Sequence, residues 1–133
     1  MYNVGITFGA FEIFHIGHLN LIKNAKKQCK KLIVCVSDDK YIFKKKHHKA
    51  VTLLEDRLEI LKAIKYIDTI DVQKLSFGKK ELIKKHKAEV IFVGNDWNPK
   101  TFSGEGLGIP VVYLPRTNGI SSTKIRTKLL KEE

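Results

Sequence analysis

Short apolar runs rich in β-branched residues punctuate this chain, and a helix-like pattern fills most of the gaps between them. The runs are Val4 to Phe8, Leu32 to Val36, Thr69 to Val72, Val90 to Val93 and Val111 to Leu114. Each has the length and composition of a strand. Helical patterns cover Leu19 to Cys29, Leu53 to Tyr66, Lys79 to His86 and Ser122 to Leu130. Leu54, Leu58, Leu61 and Lys65 recur at the spacing of one helix face. Glu55 and Asp56 before them, and Lys62 and Lys65 at the far end, complement the helix dipole. Alternation of this kind, with no internal repeat or long linker, predicts one α/β domain over residues 1–133, a five-stranded parallel sheet covered on both faces. In such sheets ligands bind at the carboxyl ends of the strands, near the point where strand order reverses. The loops after Phe8, Val36, Val93 and Leu114 are therefore the places for chemistry.

With 133 residues, 43% hydrophobic and 29% charged, the chain has the balance of a soluble globular protein. No apolar run reaches the roughly 20 residues of a membrane span, and the N-terminus has no leader-like pattern. A cytoplasmic location without membrane insertion is expected. Cys29 and Cys35 match no zinc spacing and make no disulfide framework. Cys35 reads as a small buried hydrophobe, and Cys29 lies near the end of a helical stretch. The net charge of +11 is the outlier. Clustered lysines suit nucleic acid, an anionic surface or a polyphosphate substrate, and charge alone does not choose. A basic nucleic-acid-binding module is thus an alternative class. Against it, the seven Phe and four Tyr fall mostly inside apolar runs, and no RNA- or DNA-binding motif is present.

After the first strand comes Gly9-Ala10-Phe11-Glu12-Ile13-Phe14-His15-Ile16-Gly17-His18. A strand end followed by a helix start offers free backbone N–H groups to an anion. His15 and His18, three apart on a first helical turn, can face one phosphate chain, and Gly17 permits close backbone approach. Two histidines can also ligate a metal, but no third His or Cys ligand is evident. After the last strand comes Pro115-Arg116-Thr117-Asn118-Gly119-Ile120-Ser121-Ser122-Thr123. Ser121 or Ser122 is a natural N-cap, and the planar fork of Arg116 can hold two oxygens at once. A plain capped helix would look the same. Ser103 to Gly108 is glycine-rich but precedes a strand, so it is no dinucleotide fingerprint, and no Walker sequence exists.

Taken together, the two motifs resemble those of the cytidylyltransferases, within the nucleotidyltransferase superfamily. Glu55-Asp56-Arg57, Ile64 to Asp68 and Val93-Gly94-Asn95-Asp96-Trp97 serve as intermediate landmarks. In size and layout the likeness is greatest to members acting on glycerol 3-phosphate, over nearly the whole chain. His-Ile-Gly-His also occurs in class I aminoacyl-tRNA synthetases, whose lysine-rich second loop is missing here. The resemblance implies a Rossmann-like three-layer α/β/α fold, a CTP donor, Mg2+ carried by the nucleotide phosphates and not by a metal site of the chain, and a homodimer. It further implies transfer of CMP from CTP to a small phosphorylated alcohol, giving a CDP-alcohol (CDP-glycerol, a precursor for cell-surface polymers) and pyrophosphate. Phosphocholine, phosphoethanolamine or another polyol phosphate as acceptor, and ATP as donor, are the alternatives.

Carried onto this chain, the nucleotide contacts fall on Gly9, Ala10, Phe11, His15, Gly17, His18, Asp96, Trp97, Arg116, Thr117, Gly119, Ile120, Ser121, Ser122 and Thr123. The catalytic group is His15, His18, Arg116 and the loop lysines Lys44, Lys45 and Lys46, with Lys45 and Lys79 toward the acceptor. Departures from the family pattern are Ala10 for Thr, Glu12 for Asp, Asn95 for the first acid of Gly-Asp-Asp-Trp, and Asn118 for Glu. The loop carrying Lys44 to Lys46 is one residue longer than in the resembling enzymes, so the lysines are candidates as a group.

Overall fold

The computed structural model describes residues 1–117 and 121–132. Its elements run β1 (Tyr2–Gly9), α1 (Ile16–Lys26), β2 (Cys29–Ser37), α2 (Asp39–Lys46), α3 (Leu54–Lys62), β3 (Thr69–Gln73), α4 (Lys79–His86), β4 (Val90–Gly94), β5 (Val111–Leu114) and α5 (Ser122–Glu132). All five strands pair in parallel, in the order β3-β2-β1-β4-β5. This is the expected α/β arrangement. The chain builds outward from β1 through β2 to β3, then returns to lay β4 on the other side of β1. The carboxyl ends of β1 and β4 are therefore neighbours at the switch point.

The continuous apolar runs follow from burial on both faces. Leu32, Val34 and Val36 of β2 join Val90 and Phe92 of β4 against Ile22 and Ala25 of α1 and Leu61 of α3. Ile33, Cys35, Ile91 and Val93, the alternate residues, pack with Ile6 against Leu82 and Ile83 of α4 and against Phe102. Ile22, Leu32, Ile33 and Leu82 are wholly buried, each contributing about 1.5–3 kcal/mol.

Three departures from the sequence expectation concern Cys29, α3 and the lysine run after β2. Cys29 opens β2 instead of ending a helix. Its partner Tyr2 in β1 draws it into the sheet, and its side chain is buried. Helix α3 stops at Lys62. Ile64, Tyr66 and Ile67 leave the helix but still pack on the core, so their apolar spacing continued the pattern without continuing the helix. The lysine run after β2 is not a loop: Lys44, Lys45 and Lys46 form the last turn of α2. Asp38 caps that helix by accepting from Tyr41 N at 2.8 Å, and His47 ends it in the left-handed region. Ile42 is the one residue of α2 that is buried, too little apolar periodicity to betray a helix.

Candidate active site

A cavity of about 450 Å3 opens at the switch point. Three segments line it: Phe8 to Phe11 with His15, Gly17, His18 and Leu21; Val93, Gly94, Asp96 and Trp97; and Pro115, Arg116 and Thr117 with Ser121, Ser122 and Thr123. Every expected nucleotide contact on a described residue is in that lining. Gly119 and Ile120, with Asn118, lie outside the described residues.

The histidines are set by the start of α1. His15 is its N-cap, and its Nδ1 accepts from Gly17 N at 3.0 Å. His18 Nδ1 accepts in turn from His15 N at 3.3 Å. This is a capping box made with imidazoles. Because a backbone N–H can only donate, both Nδ1 atoms are unprotonated, and the proton of each neutral ring sits on Nε2. The rings stack with centroids 3.9 Å apart. Burial, then the His15 ring and the Lys46 ammonium, push His18 down to about 4, and burial lowers His15 as well. At neutral pH the pair presents two uncharged N–H donors to the cavity.

The backbone before them is strained. Phe11 and Ile13 are both left-handed, with φ of 53° and 47°, and for a β-branched residue that is an outlier. Phe11 is buried, and a Cβ on Gly9 would lie 3.0 Å from its ring. Glu12, between the two, is also buried but points away from the cavity: its carboxylate meets Arg126 at 3.1 Å.

Arg57, to which the motifs assign no role, anchors this loop. Its guanidinium is 1% exposed. It donates to Ala10 O at 2.7 Å, Ser37 O at 2.6 Å and Thr52 O at 3.1 Å, and pairs with Asp39 at 2.5 Å. One side chain thus ties the end of β1 to the end of β2 and the start of α2. The signal was present: Leu54, Arg57, Leu58 and Leu61 share one helix face, so an arginine stood in the buried stripe. Two asparagines also act. Asn20 Nδ2 donates to Thr117 Oγ1 at 2.9 Å, joining α1 to the segment after β5. Asn95 Oδ1 accepts from Arg116 N at 3.2 Å, a contact for which an amide oxygen serves as well as a carboxylate. The Arg116 side chain is exposed and makes no hydrogen bond or ion pair among the described residues.

The lysines do not line the cavity. Lys79 Nζ lies 3.3 Å from Tyr41 Oη and over the Phe8 ring, itself a cavity residue. Lys45 lies over the Tyr41 ring. Burial, with Lys45 nearby, brings Lys79 down to about 8. Lys45 and Lys79 thus gather around Tyr41 beside the cavity, and Lys46 is close enough to bias His18. Lys44 is exposed, with no such contact among the described residues.

The family model described as cytidylyltransferase-like matches residues 6–128. The glycerol-3-phosphate cytidylyltransferase of Bacillus subtilis (strain 168) is 39% identical over 124 residues, covering 93% of this chain and 95% of that protein. The FAD synthase of Pyrococcus abyssi is 36% identical over 116 residues, 83% of this chain and 78% of its own. Among solved structures, the lipopolysaccharide core biosynthesis protein from Thermoplasma volcanium GSS1 superposes with a TM-score of 0.70 over 88% of this chain and 98% of its own. At 21% identity it supports the fold alone.

Proposed function

The chain belongs to the cytidylyltransferase-like family and is a nucleotidyltransferase, and from that premise we propose that it transfers CMP from CTP to glycerol 3-phosphate. The observation that carries the reading is the stacked pair His15 and His18 lining one cavity with a helix start and with Arg116, whose side chain is unpaired among the described residues. A phosphate oxygen of the acceptor attacks the α-phosphorus in line. The new P–O bond forms as the α–β bridging bond breaks, and pyrophosphate leaves with the electron pair. The acceptor is already an anion, so alignment and compensation of developing charge do the work.

In this reading His15 and His18 donate to the triphosphate, and Arg116 with Ser121, Ser122 and Thr123 holds its outer phosphates. Asp96 and Trp97 border the nucleotide, and Lys45, Lys46 and Lys79 bring positive charge toward the acceptor. Asp96 is the acidic side chain of the lining. One carboxylate beside substrate phosphates is a donor set that fits Mg2+. The ion would arrive on the nucleotide and neutralise phosphate charge. The homodimer implied by the resemblance belongs to the same reading and is testable by sedimentation equilibrium.

The FAD synthases supply the second reading, supported by the 36% identity of one of them: ATP as donor, with riboflavin 5′-phosphate as the phosphorylated alcohol. A pyrophosphate-release screen of four nucleoside triphosphates against glycerol 3-phosphate, phosphocholine, phosphoethanolamine and riboflavin 5′-phosphate separates them. Turnover with CTP and glycerol 3-phosphate is expected. Turnover with ATP and none with CTP would overturn the donor assignment.

A further inference from the structure

Resting on the nucleotide reading above, we infer that Glu12 and Arg126 form a latch that positions α5 over the cavity and stands half-closed in the structure described here. Glu12 is 2% exposed and holds α5 at two points. Its main-chain oxygen accepts from Ser122 Oγ at 2.7 Å, and its Oε2 accepts from Arg126 Nη2 at 3.1 Å. Residues 122 and 126 are one turn apart on the same helix face. None of the helix residues from Ser122 to Leu130 is buried, and Leu129 and Leu130 are 55% and 69% exposed.

The pair is incomplete in a specific way. Glu12 Oε1 and Arg126 Nε are both buried, and neither has a partner among the described residues. A side-on arginine–carboxylate fork uses Nε and Nη2 against the two oxygens, so the two unpartnered atoms are those that would complete it. A small slide of α5 along Glu12 closes the second bond. Ser122 and Thr123 at the start of that helix line the cavity, so the same slide moves the phosphate-facing helix start relative to His15 and His18. A ligand held better in the closed arrangement shifts the helix toward it by the difference in affinity. Glu12 and Arg126 are accordingly positioning residues: they face away from the reacting atoms and act through the helix start.

Hydrogen exchange over residues 121–132 and steady-state kinetics test this in wild type, Arg126→Lys (charge kept, fork lost) and Glu12→Gln. CTP should slow exchange over residues 123–127 of the wild type. In Arg126→Lys that protection should be lost and the KM for CTP should rise about tenfold, the worth of one charge-assisted hydrogen bond, with kcat within about threefold. Exchange in β1 and β4 should not change. Wild-type protection and KM in both variants would overturn the latch, as would loosening that spreads to the sheet. If Glu12→Gln does not fold, Arg126→Lys, at a partly exposed site, decides alone. Inorganic tripolyphosphate separates this from failure of the nucleotide reading. If the wild type turns over no nucleoside triphosphate, tripolyphosphate should still protect α5 in wild type and not in Arg126→Lys, and equal protection in the two would sink the latch.

Discussion

Along the wall of the cavity that follows β1, both histidines and the Ala10 carbonyl are held by bonds within the protein; along the wall that follows β5, the Arg116 side chain and Arg126 Nε have no partner among the described residues. His15 and His18 spend their Nδ1 atoms on the turn that carries them, and Ala10 O is taken by Arg57. The Arg116 side chain lines the cavity with no partner among the described residues, and Arg126 of α5 gives one of its two available bonds to Glu12. Donors fixed in advance need no reorganisation when charge develops. A helix with no buried residue from Ser122 to Leu130 can instead respond to a ligand. The first wall is built for chemistry and the second for closure.

Four measurements would break or sharpen that contrast. The largest effect is expected from Arg57→Ala, which leaves a carboxylate and three backbone carbonyls without their donor. Denaturant unfolding should show a loss of about 3–5 kcal/mol; a loss below about 1 kcal/mol would mean that the first wall does not depend on it. Next is pH. His18 titrates near 6.5 unfolded and at about 4 folded, so the unfolded chain binds more protons between those values. Stability should be full above pH 6.5 and fall on the order of 3 kcal/mol as pH drops to 4. His18→Gln should flatten that slope, and an unchanged slope would assign the loss to other groups.

Third, His15→Ala and His18→Ala should each lower kcat roughly 10²-fold without loss of the sheet by circular dichroism. A normal kcat in either would remove that ring from the chemistry. The smallest effect is expected on the other wall. Arg116→Lys keeps the charge but loses the fork, and kcat/KM should fall about tenfold with stability unchanged. A comparable fall in thermal midpoint would mean that Arg116 is structural, and the contrast between the walls would fail.

How legible was this in the residues? The strands were, because apolar runs buried on both faces are written locally, and Val90 to Val93 sits within β4 (Val90–Gly94). Helix α4 coincided with the expected Lys79 to His86. The cavity lining was legible for a related reason: motifs at strand ends are delivered to one edge by any parallel sheet. Helix α2 was hidden, since a short polar helix with one buried isoleucine carries no periodic signal. Arg57 was half visible, a cation in an apolar stripe, two of whose three carbonyl partners, Ala10 and Ser37, come from distant segments.

What the sequence by itself determined is therefore the element types, the parallel sheet and the two motifs that meet at its carboxyl edge, all set by local pattern and by the geometry of strand–helix–strand connections. Tertiary structure alone decided which atoms of those motifs are free. Whether an arginine is spent on carbonyls or left for a ligand, and whether Glu12 turns to the cavity or to Arg126, depends on neighbours dozens of residues away. Hydrogen bonds act over about 3 Å, and only the folded chain brings those atoms within that reach.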